Sequence, residues 1–113
     1  MKQGEIWLIC LDPTVGAEIS KSRPALIVNT DSLGKLPLKI IAPVTEWKEH
    51  YSDYPWMVKI VPTKQNNLSK ISAVDCFQIR SVSVDRFINY IGIVEAKVFN
   101  DAQEAITKII SVV

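Results

Sequence analysis

The sequence predicts a mainly β fold, a small and strongly bent antiparallel barrel with one C-terminal α-helix. Short runs of strand-forming residues follow one another, with polar, asparagine-containing or proline-containing segments between them. The tail then changes to a helical period between Val98 and Val113. Strands in succession and a single closing helix favour a bent antiparallel sheet over alternating strand and helix units.

The first two strands are predicted on either side of a polar loop. Residues 5–11 favour a strand, and Asp12-Pro13-Thr14 ends it, because proline cannot donate to a ladder and aspartate favours turns. Pro24 starts the second strand at 25–28 and forces the preceding residue into an extended conformation. Arg23 is therefore predicted to be held in one backbone geometry at the mouth of the sheet.

The later strands are predicted, in chain order, at residues 38–45, 55–61, 71–79 and 90–94. Pro43 suggests that the third of the strands lies at an edge or carries a bulge. A polar and aromatic loop follows that strand. Asn66-Asn67 marks a turn, since asparagine accepts left-handed backbone angles, and residues 83–86 form a tight helical turn.

The tail is predicted to be an amphipathic helix that packs across the sheet. Its apolar residues fall on one face, and charged residues such as Lys97 and Glu104 lie elsewhere. The apolar stripe consists of Val98, Ala102, Ala105, Ile106, Ile109 and Val113.

Composition limits the classes of function. The 113 residues form one predicted domain, 1–113, and the net charge of +1 is too small for a protein that coats nucleic acid nonspecifically. One histidine, His50, and two cysteines outside any metal-spaced pair exclude a zinc cluster and any mechanism that needs two imidazoles. No leader pattern or long apolar run is present, so a cytoplasmic protein without membrane contact is expected.

Several motifs resemble the MazF/PemK/Kid toxins in their order and approximate spacing. They are Gly4-Glu5-Ile6-Trp7, Asp12-Pro13-Thr14-Val15-Gly16-Ala17-Glu18, Arg23-Pro24-Ala25-Leu26-Ile27-Val28, Ala42-Pro43-Val44-Thr45 and Gln78-Ile79-Arg80-Ser81. The resemblance covers almost the whole chain. It implies an SH3-like barrel, a homodimer, a cognate MazE-like antitoxin protein, and sequence-specific cleavage of single-stranded RNA, usually messenger RNA, without a metal or other cofactor.

Two residues are candidates for the chemistry. Attack of a ribose 2'-hydroxyl on the neighbouring phosphate requires stabilisation of negative charge on the phosphoryl oxygens and two proton transfers. The planar, paired donors of Arg23 match phosphate oxygens, and Thr45, at the end of its strand, offers a hydroxyl to the same phosphate. The resembling toxins use the arginine and the threonine at these positions for catalysis.

Other residues are candidates for RNA binding. Glu18, Ser20 and Lys21 lie in the loop before Arg23, and the amide of Gln78 can donate to and accept from a base edge. The resemblance implies RNA contacts for Gln78 and an RNA contact or a loop-anchoring role for Glu18. Trp47 and Trp56 offer rings for base stacking, or else belong to the core or a dimer interface. Arg80 is interpreted as structural and His50 as an exposed loop residue.

Two departures from the family pattern leave an alternative open. Phe77 stands where some relatives have an acidic residue, so a proton-transfer role cannot be carried over to that position. Glu46 follows Thr45 and brings negative charge near the phosphate, which is unfavourable unless it points away or acts as the base. With the near-neutral charge, these residues motivate a second hypothesis, a noncatalytic module of the same fold that binds an antitoxin or another protein.

Overall fold

The fold is described by a computed structural model that covers residues 1–111, and it confirms the predicted class. Seven antiparallel strands form one bent sheet, and a single α-helix follows them. The elements are β1 Glu5–Cys10, β2 Ser22–Ile27, β3 Leu38–Glu46, β4 Met57–Ile60, β5 Ser72–Asp75, β6 Arg80–Ser83, β7 Phe87–Ile93 and α1 Ala96–Ile110.

The long strand β3 organises the sheet, whose strand order is β4-β5-β3-β2-β1-β7 with β6 also paired to β3. Its residues 41–43 pair with β2, residues 44–46 pair with β5, and residues 38–41 pair with β6. The prediction that Pro43 marks an edge is wrong, because β3 is central. Pro43 is tolerated because it falls between the end of the β6 ladder at Ile41 and the start of the β5 ladder at Val44.

The predicted fifth strand at 71–79 is also wrong, because it is divided into β5, a 3-10 turn at Cys76–Gln78, and β6. The carboxylate of Asp75 ends β5 by accepting a hydrogen bond from the N–H of Phe77 at 3.1 Å. Burial raises the pKa of Asp75, although the N–H groups of Phe77 and Gln78 act in the opposite direction. Gln78 therefore lies on a turn and not within a strand.

Both faces of the sheet are covered by apolar clusters. Ile6, Leu26 and Val44 belong to the cluster that faces α1, where they meet the buried Ala102 and Ala105. The second cluster lies on the opposite face and consists of Ile9, Leu11, Ala25, Ile27, Ile41 and Val82, with Trp7, Ile19 and Phe87 packed against it. The strand alternation of side chains accounts for this division.

The helix matches its predicted stripe within the described residues. Val98 and Ile106 pack against the helix-facing cluster, Ile109 is half-buried, and Val113 lies outside the described residues. Cys76 belongs to the same cluster, and burial raises the pKa of its thiol to about 12, so the thiol stays protonated. Across residues 1–111, we find no helix with the length and apolar character needed to cross a bilayer.

Candidate active site

Strand register places the two predicted catalytic residues in one row across the face of the sheet opposite α1. Thr45 pairs with Ala73, and Ala73 pairs in turn with Lys59. The β2–β3 register, in which Ala25 pairs with Pro43, places Arg23 opposite Thr45 when it is extended by two residues. Directly opposed residues of an antiparallel sheet project to the same face, so Arg23 and Thr45 share a face.

A pocket of about 180 Å³ lies at this row, and both predicted catalytic residues line it. Arg23 is exposed and Thr45 is half-buried, so both side chains reach solvent. The other lining residues are Pro24, Val44, Glu46, Leu68, Ser69, Lys70 and Ser72. The pocket thus combines two cationic groups, several hydroxyls and one carboxylate, a set that suits an anionic oxygen ligand.

The guanidinium of Arg23 is oriented by the loop that precedes it. Arg23 lies inside β2, opposite Ile9, which confirms its predicted extended conformation. Its Nε donates to the carbonyl oxygen of Ser20 at 3.3 Å. Within residues 1–111, the terminal nitrogens of this side chain donate to no protein group, so they are available to a ligand.

The carboxylate of Glu46, which departs from the family pattern, also lines this pocket. Glu46 Oε2 lies 3.7 Å from Lys70 Nζ, and the two side chains are 64% and 67% exposed. A pair this exposed contributes little to stability, because water and salt screen it. Glu46 therefore presents an exposed carboxylate in the pocket lining, beside a cation.

A second pocket of about 400 Å³ contains two of the predicted RNA-binding residues, Glu18 and Gln78. Gln78 Oε1 accepts a hydrogen bond from the N–H of Ile19 at 2.6 Å, and its Nε2 donates to the carbonyl oxygen of Ala17 at 3.4 Å. Glu18 Oε1 accepts from the N–H of Val15. Both polar side chains are thus engaged with the loop between β1 and β2, and the amide expected to contact a base edge anchors that loop here.

The remaining predicted residues lie away from the two pocket linings. The carbonyl oxygen of Ser20 accepts from Arg23 Nε. Lys21 is exposed and has φ of 68°, and its backbone carbonyl oxygen accepts from the N–H of Leu11 at 2.9 Å. Trp47 is half-buried, with Lys59 Nζ at 5.1 Å from its ring centroid and Tyr51 edge-on at 5.8 Å. Its Nε1 is buried without a hydrogen-bond partner among residues 1–111.

Lys70, Ser69 and Ser72 were missed by sequence reasoning. They follow the turn at Asn66-Asn67 and reach the pocket only because β5 pairs with the end of β3. No local pattern in the sequence indicates this pairing. Arg80 agrees with its structural interpretation, because its Nη1 donates to the carbonyl oxygen of Leu11 at 3.1 Å.

We expect Gln78→Leu to loosen the loop that carries Ser20 and orients Arg23. The substitution removes the acceptor for the Ile19 N–H, and one lost hydrogen bond of about 1 to 1.5 kcal/mol corresponds to roughly tenfold faster opening. Amide hydrogen exchange at Ile19 measures this directly. Gln78→Glu keeps an acceptor oxygen for the Ile19 N–H but loses the Nε2 donor to Ala17, so it separates the contributions of the two hydrogen bonds. Equal exchange at Ile19 in wild type and Gln78→Leu would show that the loop is held by other contacts.

The site offers no evident metal centre. Among residues 1–111, no group of three or more His, Cys, Asp or Glu side chains is placed to hold a metal ion. The functional groups that line the pocket are a guanidinium, an ammonium, a carboxylate and hydroxyls.

Comparison with known proteins gives a consistent set of relatives. Residues 2–110 match the family model described as PemK-like, MazF-like toxin of type II toxin-antitoxin system. The chain is 30% identical over 112 residues to endoribonuclease MazF9 of Mycobacterium tuberculosis (strain ATCC 25618 / H37Rv), which covers 94% of this chain and 92% of the relative.

Solved structures support the fold. The crystal structure of MazF (Form-I) from Deinococcus radiodurans aligns with a TM-score of 0.82 at 21% identity, over 99% of this chain and 97% of the other. A chain of the crystal structure of MazE-MazF (Form-III) from the same organism aligns with a TM-score of 0.75 at 20% identity, over 100% of this chain and 98% of the other.

Proposed function

This chain belongs to the family of PemK-like, MazF-like toxins of type II toxin-antitoxin systems, and on that premise we propose that it is a sequence-specific endoribonuclease that cuts single-stranded RNA without a metal. Its relative MazF9 is named an endoribonuclease. The observation that carries the proposal is the shared pocket of Arg23 and Thr45. Residues 1–113 act as one toxin domain, and messenger RNA in the cytoplasm is the substrate.

The reaction is attack of a ribose 2'-oxygen on the adjacent phosphorus. A new O2'–P bond forms and the P–O5' bond breaks, which leaves a 2',3'-cyclic phosphate on one product and a 5'-hydroxyl on the other. The free donors of Arg23 bind the nonbridging oxygens as their negative charge grows. The hydroxyl of Thr45 donates to the same phosphate and orients it.

Two proton transfers remain, and the pocket supplies one group suited to the first. Glu46 is our candidate to accept the 2'-hydroxyl proton, because its carboxylate lines the pocket and is exposed. Lys70 lies beside that carboxylate at 3.7 Å, adds positive charge for the phosphate, and is our candidate to donate the second proton to the departing O5'.

The RNA-binding residues flank this pocket in the proposal. Ser20 and Lys21 lie just before Arg23, so RNA that passes the scissile phosphate meets the loop between β1 and β2. Glu18 and Gln78 contact bases only by exchanging their present loop partners for RNA. Trp47 offers the part of its ring that Lys59 and Tyr51 leave open.

The toxin acts as a homodimer and is inhibited by a cognate MazE-like antitoxin. One toxin structure of the same fold was solved as a MazE-MazF assembly. An acidic, disordered antitoxin segment that folds on binding would cover Arg23 and exclude RNA. Sedimentation measures whether the protein is a dimer in solution. Simultaneous binding of RNA and such an antitoxin segment to one toxin would contradict direct occlusion of the site.

We expect the purified protein to cut a mixed RNA substrate in EDTA and to leave 2',3'-cyclic phosphate ends within a short common sequence. Sequencing the ends reports both the activity and the motif. Thr45→Ala, which removes the hydroxyl together with the γ-methyl, is expected to cut more slowly at the same sites, and Thr45→Val, which replaces only the hydroxyl, is the matched variant. Intact RNA after incubation with wild type would favour the noncatalytic binding module instead.

A further inference from the structure

We propose that Phe77, supported by Trp56 and Tyr54, forms a stacking surface for one unpaired base of the RNA substrate. We call these three side chains the aromatic ridge. The inference rests on the proposed ribonuclease function and deepens it, since it assigns a base-recognition role to a residue that the catalytic chemistry leaves unused.

The ring of Phe77 belongs to neither of the two hydrophobic clusters described above. Its side chain is 63% exposed, although the preceding residue of the same turn, Cys76, is fully buried. A single exposed apolar residue is ordinary. Phe77, however, also forms one wall of the 400 Å³ pocket that contains Gln78.

The ring is held in place before any ligand arrives. Phe77 meets Trp56 edge-to-face at 5.6 Å and 61°, and Tyr54 stacks on Trp56 at 4.9 Å and 8°. Trp56 in turn packs against the helix-facing cluster, and its carbonyl oxygen accepts from the N–H of Cys76 at 3.0 Å. Asp75 fixes the backbone N–H of Phe77. A fixed ring loses little conformational freedom when a base stacks on it.

The groups around the ring indicate the class of ligand. Beside Phe77, the pocket presents the amide of Gln78, the carboxylate of Glu18 and the guanidinium of Arg80. A nucleobase has an apolar face for the ring and a polar edge for donors and acceptors of this kind. Gln78 Nε2 donates to Ala17 and Arg80 Nη1 donates to Leu11, but both side chains carry further N–H groups. A base edge can accept from these N–H groups, whereas an apolar peptide side chain cannot, so the pocket favours a base.

The test couples a single ring to a single base. The probe is an RNA that contains the mapped cleavage sequence, with a 2'-deoxy sugar at the cut position so that it binds without reacting. Abasic nucleotides are introduced one position at a time, and dissociation constants are measured for wild type and Phe77→Leu. Base stacking on an aromatic ring contributes about 1 to 3 kcal/mol, so removal of the stacked base should weaken wild-type binding by about 5- to 150-fold.

At that position the abasic RNA should bind Phe77→Leu no more weakly than the complete RNA does, and Phe77→Trp should restore the wild-type difference. Tyr90→Leu is the matched control, because Tyr90 is 50% exposed and meets Trp7 edge-to-face at 5.8 Å. It should retain the wild-type abasic profile.

Three other results would contradict the stacking role of the aromatic ridge. If the abasic profile of Phe77→Leu equals that of wild type, the stacking role is wrong while RNA binding and cleavage stand. If wild type neither binds nor cuts RNA, the ridge and the proposed function fail together. If Phe77→Leu alters the sedimentation of the free protein, the ridge contacts another copy of this chain, and the proposal is overturned.

Discussion

Arg23→Ala is expected to slow RNA cleavage by about 100- to 1,000-fold, the loss typical of removing one group that stabilises the negative charge of a transition state. The structure gives the reason, since the guanidinium lines the pocket with Thr45 and only its Nε is held, by the carbonyl oxygen of Ser20. The effect should appear in the single-turnover rate constant at saturating RNA, because the charge grows during the reaction.

Stability separates this chemical role from a structural one. Arg23 is exposed, so Arg23→Ala should shift the free energy of unfolding by about 0.5 kcal/mol or less. Arg23→Lys keeps the charge but loses the paired planar donors, and an intermediate rate is expected. A folded Arg23→Ala protein that cuts RNA at the wild-type rate would remove this residue from the mechanism.

Gly92→Ala is expected to destabilise the fold by about 3 kcal/mol, the upper part of the range for forcing extra volume into a packed region. A Cβ at Gly92 would lie 2.4 Å from the carbonyl oxygen of Gln65 and 2.6 Å from the carbonyl carbon and oxygen of Asn66. These atoms belong to backbone. Relief of the overlap therefore requires β7 or the neighbouring turn to move.

That turn is held from within, so movement is costly. The buried Asn66 accepts from the N–H groups of Thr63 and Leu68 at 2.9 and 3.0 Å, and it donates to the carbonyl oxygen of Val61 at 3.0 Å. The N–H of Ile93 also donates to the carbonyl oxygen of Gln65 at 3.0 Å. Movement of the turn would strain or break several of these bonds.

Urea denaturation measures the effect, and another glycine provides the control. Gly16 has φ of 58°, and no atom of residues 1–111 beyond its chain neighbours lies within 4 Å of its added Cβ. Gly16→Ala should therefore cost only the left-handed backbone penalty of about 1 to 2 kcal/mol. If Gly92→Ala were no more destabilising than Gly16→Ala, the close approach of β7 to the turn would be wrong.

The sequence predicts most of this fold because local signals agree with the packing. Pro13 ends the first strand region, the stripe from Val98 to Ile109 matches α1, and Asn67 adopts φ of 58° in its predicted turn. The prediction of one continuous strand at 71–79 is wrong for a physical reason. Its residues favour a strand, but the carboxylate of Asp75 offers the N–H of Phe77 a local partner and ends the ladder.

The site is predictable in part. Arg23 and Thr45 are indicated by sequence position and meet in one pocket, whereas Lys70 reaches that pocket only through strand pairing. The partners of Gln78 are likewise invisible in the sequence, since Ile19 lies 59 residues away. Contacts of this kind depend on how a loop folds back, and no short-range pattern encodes them.

Because both faces of β3 pack against hydrophobic clusters, the length of this strand cannot change without moving side chains from one face to the other. Ala42 and Val44 point toward α1, while Ile41 and Thr45 lie on the opposite face, where Ile41 belongs to the second buried cluster. A one-residue insertion between Ile41 and Thr45 would turn the hydroxyl toward α1 and would place residues of one hydrophobic cluster on the face of the other. A change in loop length outside β3 leaves this register intact, whereas the number of residues between Ile41 and Thr45 fixes both the position of the hydroxyl and the packing of the two clusters.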